Sequence, residues 1–141
     1  MNSTKITLQV NHPGQGICLL ITLDGQELWN ASQAYSGLVQ LDISDSDGSH
    51  LLVIEMTGKQ PHHTKISVDG VIEKDHVITI DNVAFDGITL GHVFTHLAKY
   101  SHDCNGTASP IEEKFYGTMG CNGTVSLQFT TPIYLWLLEN M

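Results

Sequence analysis

His50-Leu51-Leu52-Val53-Ile54-Glu55-Met56 and His76-Val77-Ile78-Thr79-Ile80-Asp81-Asn82-Val83-Ala84-Phe85 alternate apolar and polar side chains, and the dipeptide Asp69-Gly70 marks a turn between them. A period of two puts successive side chains on opposite faces of an extended backbone, so each run reads as a strand with one face for a core and one for solvent. The same reading extends outward in both directions. Lys5 to Val10 is a first strand closed by the breaker cluster Asn11-His12-Pro13-Gly14. Ile17 to Leu23 and Glu27 to Trp29 flank Asp24-Gly25, a dipeptide suited to the positive φ angles of a tight hairpin. Leu38 to Ile43 alternates again before the polar run Ser44-Asp45-Ser46-Asp47-Gly48-Ser49. Short strands at this spacing predict an all-β, antiparallel sandwich or barrel, as a single domain over residues 1–141.

After Gly91 the rhythm changes. His92-Val93-Phe94-Thr95-His96-Leu97-Ala98 has apolar residues at helical offsets and predicts the one short helix, capping an end of the sandwich. Ser101 to Gly123 is rich in Gly, Asn, Ser and Thr yet holds Phe115, Tyr116 and Met119, which reads as an ordered loop pinned by apolar side chains. Thr124 to Thr130 and Pro132 to Leu138 read as two final strands. The apolar tail Ile133-Tyr134-Leu135-Trp136-Leu137-Leu138, together with open sheet edges, predicts a homo-oligomer.

Composition excludes several function classes. With 141 residues, 41% of them hydrophobic and 15% charged, the chain is globular and long enough to bury a core. Fifteen carboxylates against six basic residues give a formal charge of −9, and all six basic residues are lysines, at 5, 59, 65, 74, 99 and 114. Without arginine forks or a basic stripe, nucleic acid is an unsuitable partner, while cations and neutral sugars suit the surface. The longest apolar runs, Ile17 to Leu23 and Pro132 to Leu138, are too short to span a bilayer, and Met1-Asn2-Ser3-Thr4-Lys5 lacks a signal-peptide core. Cys18, Cys104 and Cys121 are odd in number and without C-x-x-C spacing, so reduced thiols are expected.

Three chemistries merit weighing. The acidic turn Asp42-Ile43-Ser44-Asp45-Ser46-Asp47-Gly48 has the oxygen ligands calcium prefers, but Ile43 and Ile54 fall where an EF-hand needs its first and last ligands. What remains is an irregular calcium site on Asp45 and Asp47, helped by Asp81 and Asp86, or simply turn residues. His92 and His96, four apart with His102 following, permit a zinc hydrolase, although Val93 stands where a metalloprotease has its general base. The plainer reading is two polar residues on a capping helix. Sugar binding needs an aromatic platform with amides or carboxylates beside it, and Trp29, Tyr35, Tyr116 and Asn122 are of those types in or beside loops. No nucleophile elbow occurs, and Cys121 in its Gly-rich turn reads as a small apolar side chain.

The segments Asp47-Gly48-Ser49-His50-Leu51-Leu52-Val53-Ile54-Glu55 and His76 through Asp86-Gly87-Ile88 resemble the jelly-roll sandwich of calcium-dependent xylan-binding modules over roughly the first 90 residues. That resemblance implies a calcium and glycan site near Asp81 and Asp86. The part from Gly91 through Phe115-Tyr116-Gly117-Thr118-Met119-Gly120-Cys121-Asn122-Gly123-Thr124 onward resembles small structural proteins of tailed bacteriophages. Together they imply a non-enzymatic module of a virion or tail assembly that binds carbohydrate or neighbouring subunits. The alternative is a free calcium-dependent carbohydrate-binding protein.

Overall fold

The computed structural model describes residues 3–44, 48–59, 64–66, 68, 72–102 and 109–140. Its strands are β1 Ser3–His12, β2 Cys18–Leu23, β3 Gln26–Ala31, β4 Tyr35–Ser44, β5 Gly48–Thr57, β6 Thr64–Ile66, β7 Ile72–Asp75, β8 Ile78–Phe85, β9 Ile88–Thr89, β10 Lys99–His102, β11 Ile111–Lys114, β12 Thr118–Met119 and β13 Gly123–Thr131. One antiparallel sheet runs β12-β8-β1-β4, with β9 paired to β8, and a second runs β11-β10-β13-β5-β2-β3. β6 and β7 form a separate two-stranded ribbon, and Asp69-Gly70, expected as a turn, lies outside the described residues. The antiparallel β-sandwich expected from alternation is therefore the fold.

Alternation explains which residues fill it. Leu52, Ile54 and Met56 of β5 and Val125, Leu127 and Phe129 of β13 point inward, as do Ile6, Leu8 and Val10 of β1 and Val39, Leu41 and Ile43 of β4, in one apolar cluster between the sheets. Removing such side chains from water is the main favourable term in folding. The two quoted runs do not pair with each other: β5 lies in one sheet and β8 in the other, so they face across the core. The Asp24-Gly25 and Asp86-Gly87 turns are tight hairpins with positive φ, at 51° and 85° in the first and 51° and 83° in the second.

Three expectations need correction. The first strand continues past Val10 through His12, where Tyr35 is its register partner. Part of the 101–123 segment is strand, since the end of β10 and all of β11 and β12 lie within it; Phe115 and Met119 are buried, whereas Tyr116 is exposed. The tail is a second helix rather than a strand. The first helix, α1, spans His92–Leu97 as expected, and α2 spans Ile133–Asn140. Pro132 is tolerated at this helix start because a first-turn N–H needs no partner, and its carbonyl accepts from Leu135 N–H at 3.2 Å. Ile133, Trp136 and Leu137 share the buried face, with Trp136 stacked on Phe85 at 5.8 Å and edge-on to Phe129 at 6.2 Å. The tail thus completes its own chain's core, while Tyr134, Leu135 and Leu138 stay exposed.

Candidate functional site

The β3–β4 connection, Ser32-Gln33-Ala34, is short enough to bring two aromatic rings together. Trp29 and Tyr35 meet edge to face, with centroids 5.3 Å apart and planes at 68°, the geometry favoured by aromatic quadrupoles. Tyr35 is held by its hydroxyl, which donates to the Leu38 carbonyl at 2.8 Å, and its ring lies over Gly37, where an added Cβ would stand 3.5 Å from the phenol oxygen. Around the pair is an open depression of about 370 Å³ lined also by Asn30, Ser32 and Gln33. Asn30 Nδ2 donates to Glu27 Oε2 at 2.7 Å, which fixes the direction of that amide. The volume falls within the range of small-molecule sites. Two of the four residues predicted for sugar binding thus lie in one place.

A second, smaller depression of about 150 Å³ brings Tyr116 beside Asp81, with Asn82, Thr89 and Thr95 on its walls. It exists because residues 115–117 dock onto β8: Ile80 N–H donates to the Gly117 carbonyl at 2.7 Å, and Phe115 is buried beneath, edge-on to Phe94 and Tyr100. Gly117 has φ of 102°, and a Cβ there would meet Ile80 O at 3.3 Å and Asp81 Oδ1 at 3.4 Å. Beside it the β1–β8 register shifts, and Asn82 takes φ of 55°, a value Asn tolerates better than most residues. Tyr116 is 78% exposed.

Asp86 lies elsewhere. At the hairpin following β8 its Oδ1 accepts from Lys5 N–H at 2.7 Å while its own N–H donates to the Lys5 carbonyl at 2.7 Å. Asp81 lies within the paired segment, opposite Gln9, whereas Asp86 lies past its end, beyond the Ile6–Phe85 pair. Asp45 and Asp47 lie outside the described residues. Asn122 has both ends of its amide committed to Lys59: Oδ1 accepts from the backbone N–H at 2.9 Å and Nδ2 donates to the carbonyl at 3.1 Å. Among the described residues no three His, Cys, Asp or Glu side chains are grouped to hold a metal ion. His92 and His96 stand exposed on α1 with rings 6.1 Å apart, whereas His102 meets Glu113 at 3.0 Å and packs on Tyr100, so the zinc set does not assemble.

One constellation escaped the sequence reading. His50 Nδ1 lies 2.8 Å from Asp24 Oδ2, its Nε2 lies 3.0 Å from Thr131 Oγ1, and Asp24 Oδ1 accepts from Leu51 N–H at 2.8 Å. These hydrogen bonds hold the Asp24 carboxyl below the usual carboxylate range, the His50 contribution being the largest. The order carboxylate, imidazole, hydroxyl matches a nucleophilic triad, but Thr131 is buried, so a substrate cannot reach its hydroxyl. The set ties the β2–β3 hairpin to β5 and to the end of β13. The signal was the Asp24-Gly25 turn, which gave the hairpin but not its distant histidine.

No protein-family model and no curated protein sequence matches the chain. Two solved structures share its fold. One is a carbohydrate-binding module, vCBM60, in complex with galactobiose, with a TM-score of 0.52 and 11% identity over 87% of this chain and 96% of that one. The other is a selenomethionine form of vCBM60, described through a circular permutation linking two families of calcium-dependent carbohydrate-binding modules; it also gives a TM-score of 0.52 and 11% identity, over 88% and 89% of the two chains. Among the described residues no helix is long and apolar enough to cross a membrane.

Proposed function

We propose that the chain is a non-catalytic carbohydrate-binding sandwich whose sugar platform is the Trp29–Tyr35 pair. The observation that carries this reading is the meeting of two aromatic rings with Asn30, Ser32 and Gln33 around one open depression. An aromatic face takes the C–H face of a pyranose, and amide and hydroxyl groups exchange hydrogen bonds with its equatorial hydroxyls. The likeness in fold to a module that holds galactobiose supports the same reading. The −9 charge favours neutral glycans over acidic ones.

Calcium is not built into this platform. Among the described residues no three carboxylate, imidazole or thiol side chains are grouped, and Asp86 is tied to Lys5 N–H at its own hairpin. The lining of the platform carries no carboxylate, so the reading draws its sugar contacts from aromatic, amide and hydroxyl groups.

Isothermal titration with galactobiose and a panel of neutral oligosaccharides, run with and without EDTA, tests the proposal. Saturable binding is expected, unaffected by EDTA and weakened about tenfold, or about 1.4 kcal/mol, by Trp29→Ala and measurably by the exposed Gln33→Ala. Binding that survives both substitutions, or no binding across the panel, would overturn it.

A second reading, a module that joins neighbouring subunits as in a virion, is favoured by the outer face of α2, where Tyr134, Leu135 and Leu138 are exposed beside Ile88. Sedimentation of the wild type against Leu138→Glu tests it: self-association lost in the variant supports this reading, and a monomer at micromolar concentration removes self-association from it.

A further inference from the structure

We propose that His12 is an acid-released latch that holds the 13–16 turn against the 31–34 loop and thereby sets the shape of the Trp29–Tyr35 depression. The inference deepens the platform reading, but its structural half stands without any sugar.

His12 ends β1 and is only 2% exposed. Its Nδ1 accepts from Gly14 N–H at 2.8 Å, which puts the ring proton of the neutral form on Nε2. Nε2 is buried without a well-formed hydrogen bond. The turn it holds is closed by Ile17 N–H donating to the Gly14 carbonyl at 3.1 Å. Gly14 has φ of 77° and sits so close to the next loop that a Cβ would lie 3.0 Å from Ala34 N. Across the β1–β4 ladder the register partner of His12 is Tyr35, so both side chains share one sheet face. The chain of contacts therefore runs from the imidazole through Gly14 to Ala34, and directly from His12 to Tyr35.

Protonation breaks this arrangement at a defined atom. A proton taken from water by Nδ1 turns the acceptor into a donor facing the Gly14 N–H donor, and leaves a full charge in an apolar enclosure. Among the described residues the charge would find only partial compensation, from backbone groups. β4 faces it with Tyr35, while the lead-in to β2 brings the backbone of Ile17 and the end of β3 that of Ala31. No charged side chain acts on the ring: burial is the main influence and pushes its pKa below 6.5, opposed in part by the backbone of Ala31, Ile17 and His12 itself. The latch therefore opens below the ordinary imidazole range, as pH falls.

His12→Asn provides the test, since an Asn carbonyl can accept from Gly14 N–H without titrating. Two-dimensional NMR of the full chain follows the Gly14 amide, the Trp29 indole N–H and the His12 ring nitrogens as pH is lowered. In the wild type the ring is expected as the Nε2–H tautomer at neutral pH; at about pH 5 the Gly14 amide is expected to exchange about tenfold faster than in the variant and the Trp29 indole signal to move. Sugar affinity should fall together with these signals in the wild type and stay constant in the variant. Equal Gly14 exchange in both proteins at acid pH, or an Nδ1–H tautomer at neutral pH, would overturn the latch. If His12→Asn does not fold, the wild-type tautomer and its titration decide alone. A latch that opens while no sugar binds at any pH leaves the latch standing and removes the platform reading instead.

Discussion

The side-chain amide of Asn122 grips the backbone of Lys59 from both sides, accepting from its N–H at 2.9 Å and donating to its carbonyl at 3.1 Å. The grip ties the end of β5 to the turn that opens β13, and Lys59, although charged, is buried there with its ammonium donating to the Gly120 carbonyl. Asn122→Ala is expected to lower unfolding stability by about 1–3 kcal/mol, because two part-buried backbone groups lose their partners. Denaturant titration measures it. Oligosaccharide affinity should remain that of the wild type once the variant is kept below its melting temperature.

Gly117 makes the turn that presents Tyr116 over Asp81. Gly117→Ala should cost about 1–2 kcal/mol from the left-handed backbone alone, with a further cost from its contact with Ile80 O and Asp81 Oδ1. Thermal melting gives the loss, and increased proteolysis near Tyr116 would show that the turn has lifted.

The Asp24–His50 pair makes a pH-dependent contribution. Asp24 titrates below its ordinary 3.8 in the folded chain, so its stabilisation is present above that value and is lost as pH falls through the depressed one. Because the carboxylate is exposed, the effect is a fraction of a kcal/mol to about 1 kcal/mol. Asp24→Asn should therefore melt a few degrees lower than the wild type at neutral pH, and the gap should narrow at about pH 2. A gap independent of pH would contradict an ionic contribution.

Trp136→Ala removes a ring packed on Phe85 and Phe129. The expected loss is about 3–5 kcal/mol, read from chemical denaturation. A tail unimportant to the core would give less than about 1 kcal/mol, the range of surface substitutions.

The sandwich was legible wherever one strand face is buried, because alternation writes itself into sequences such as Leu52, Ile54 and Met56. The Asp24-Gly25 hairpin was legible for an equally local reason, its positive φ angles. The tail was not. Ile133 to Leu138 is apolar at every position and carries no period, so the choice between strand and helix fell to Phe85 and Phe129, which receive Trp136 from the opposite side of the core. Trp29 and Tyr35 could be nominated and also lie together, since three residues separate their strands. The nearness of Tyr116 to Asp81 was illegible, for it depends on a hydrogen bond between Gly117 and Ile80. His12 read as part of a turn, and nothing local announces that its imidazole is buried opposite Tyr35.

The pairing of β5 with β13 has a kinetic consequence. Ser49 and Gln128 touch across this ladder although seventy-nine positions separate them, and β10 and β2 are held together only through these two central strands. The loop-closure entropy of joining such distant segments must be met before their burial is gained, which places refolding in the millisecond-to-second regime of sandwiches. During that interval the edge of β5 that β13 will pair with stands open. Crowded refolding should consequently lose material at this strand before any other.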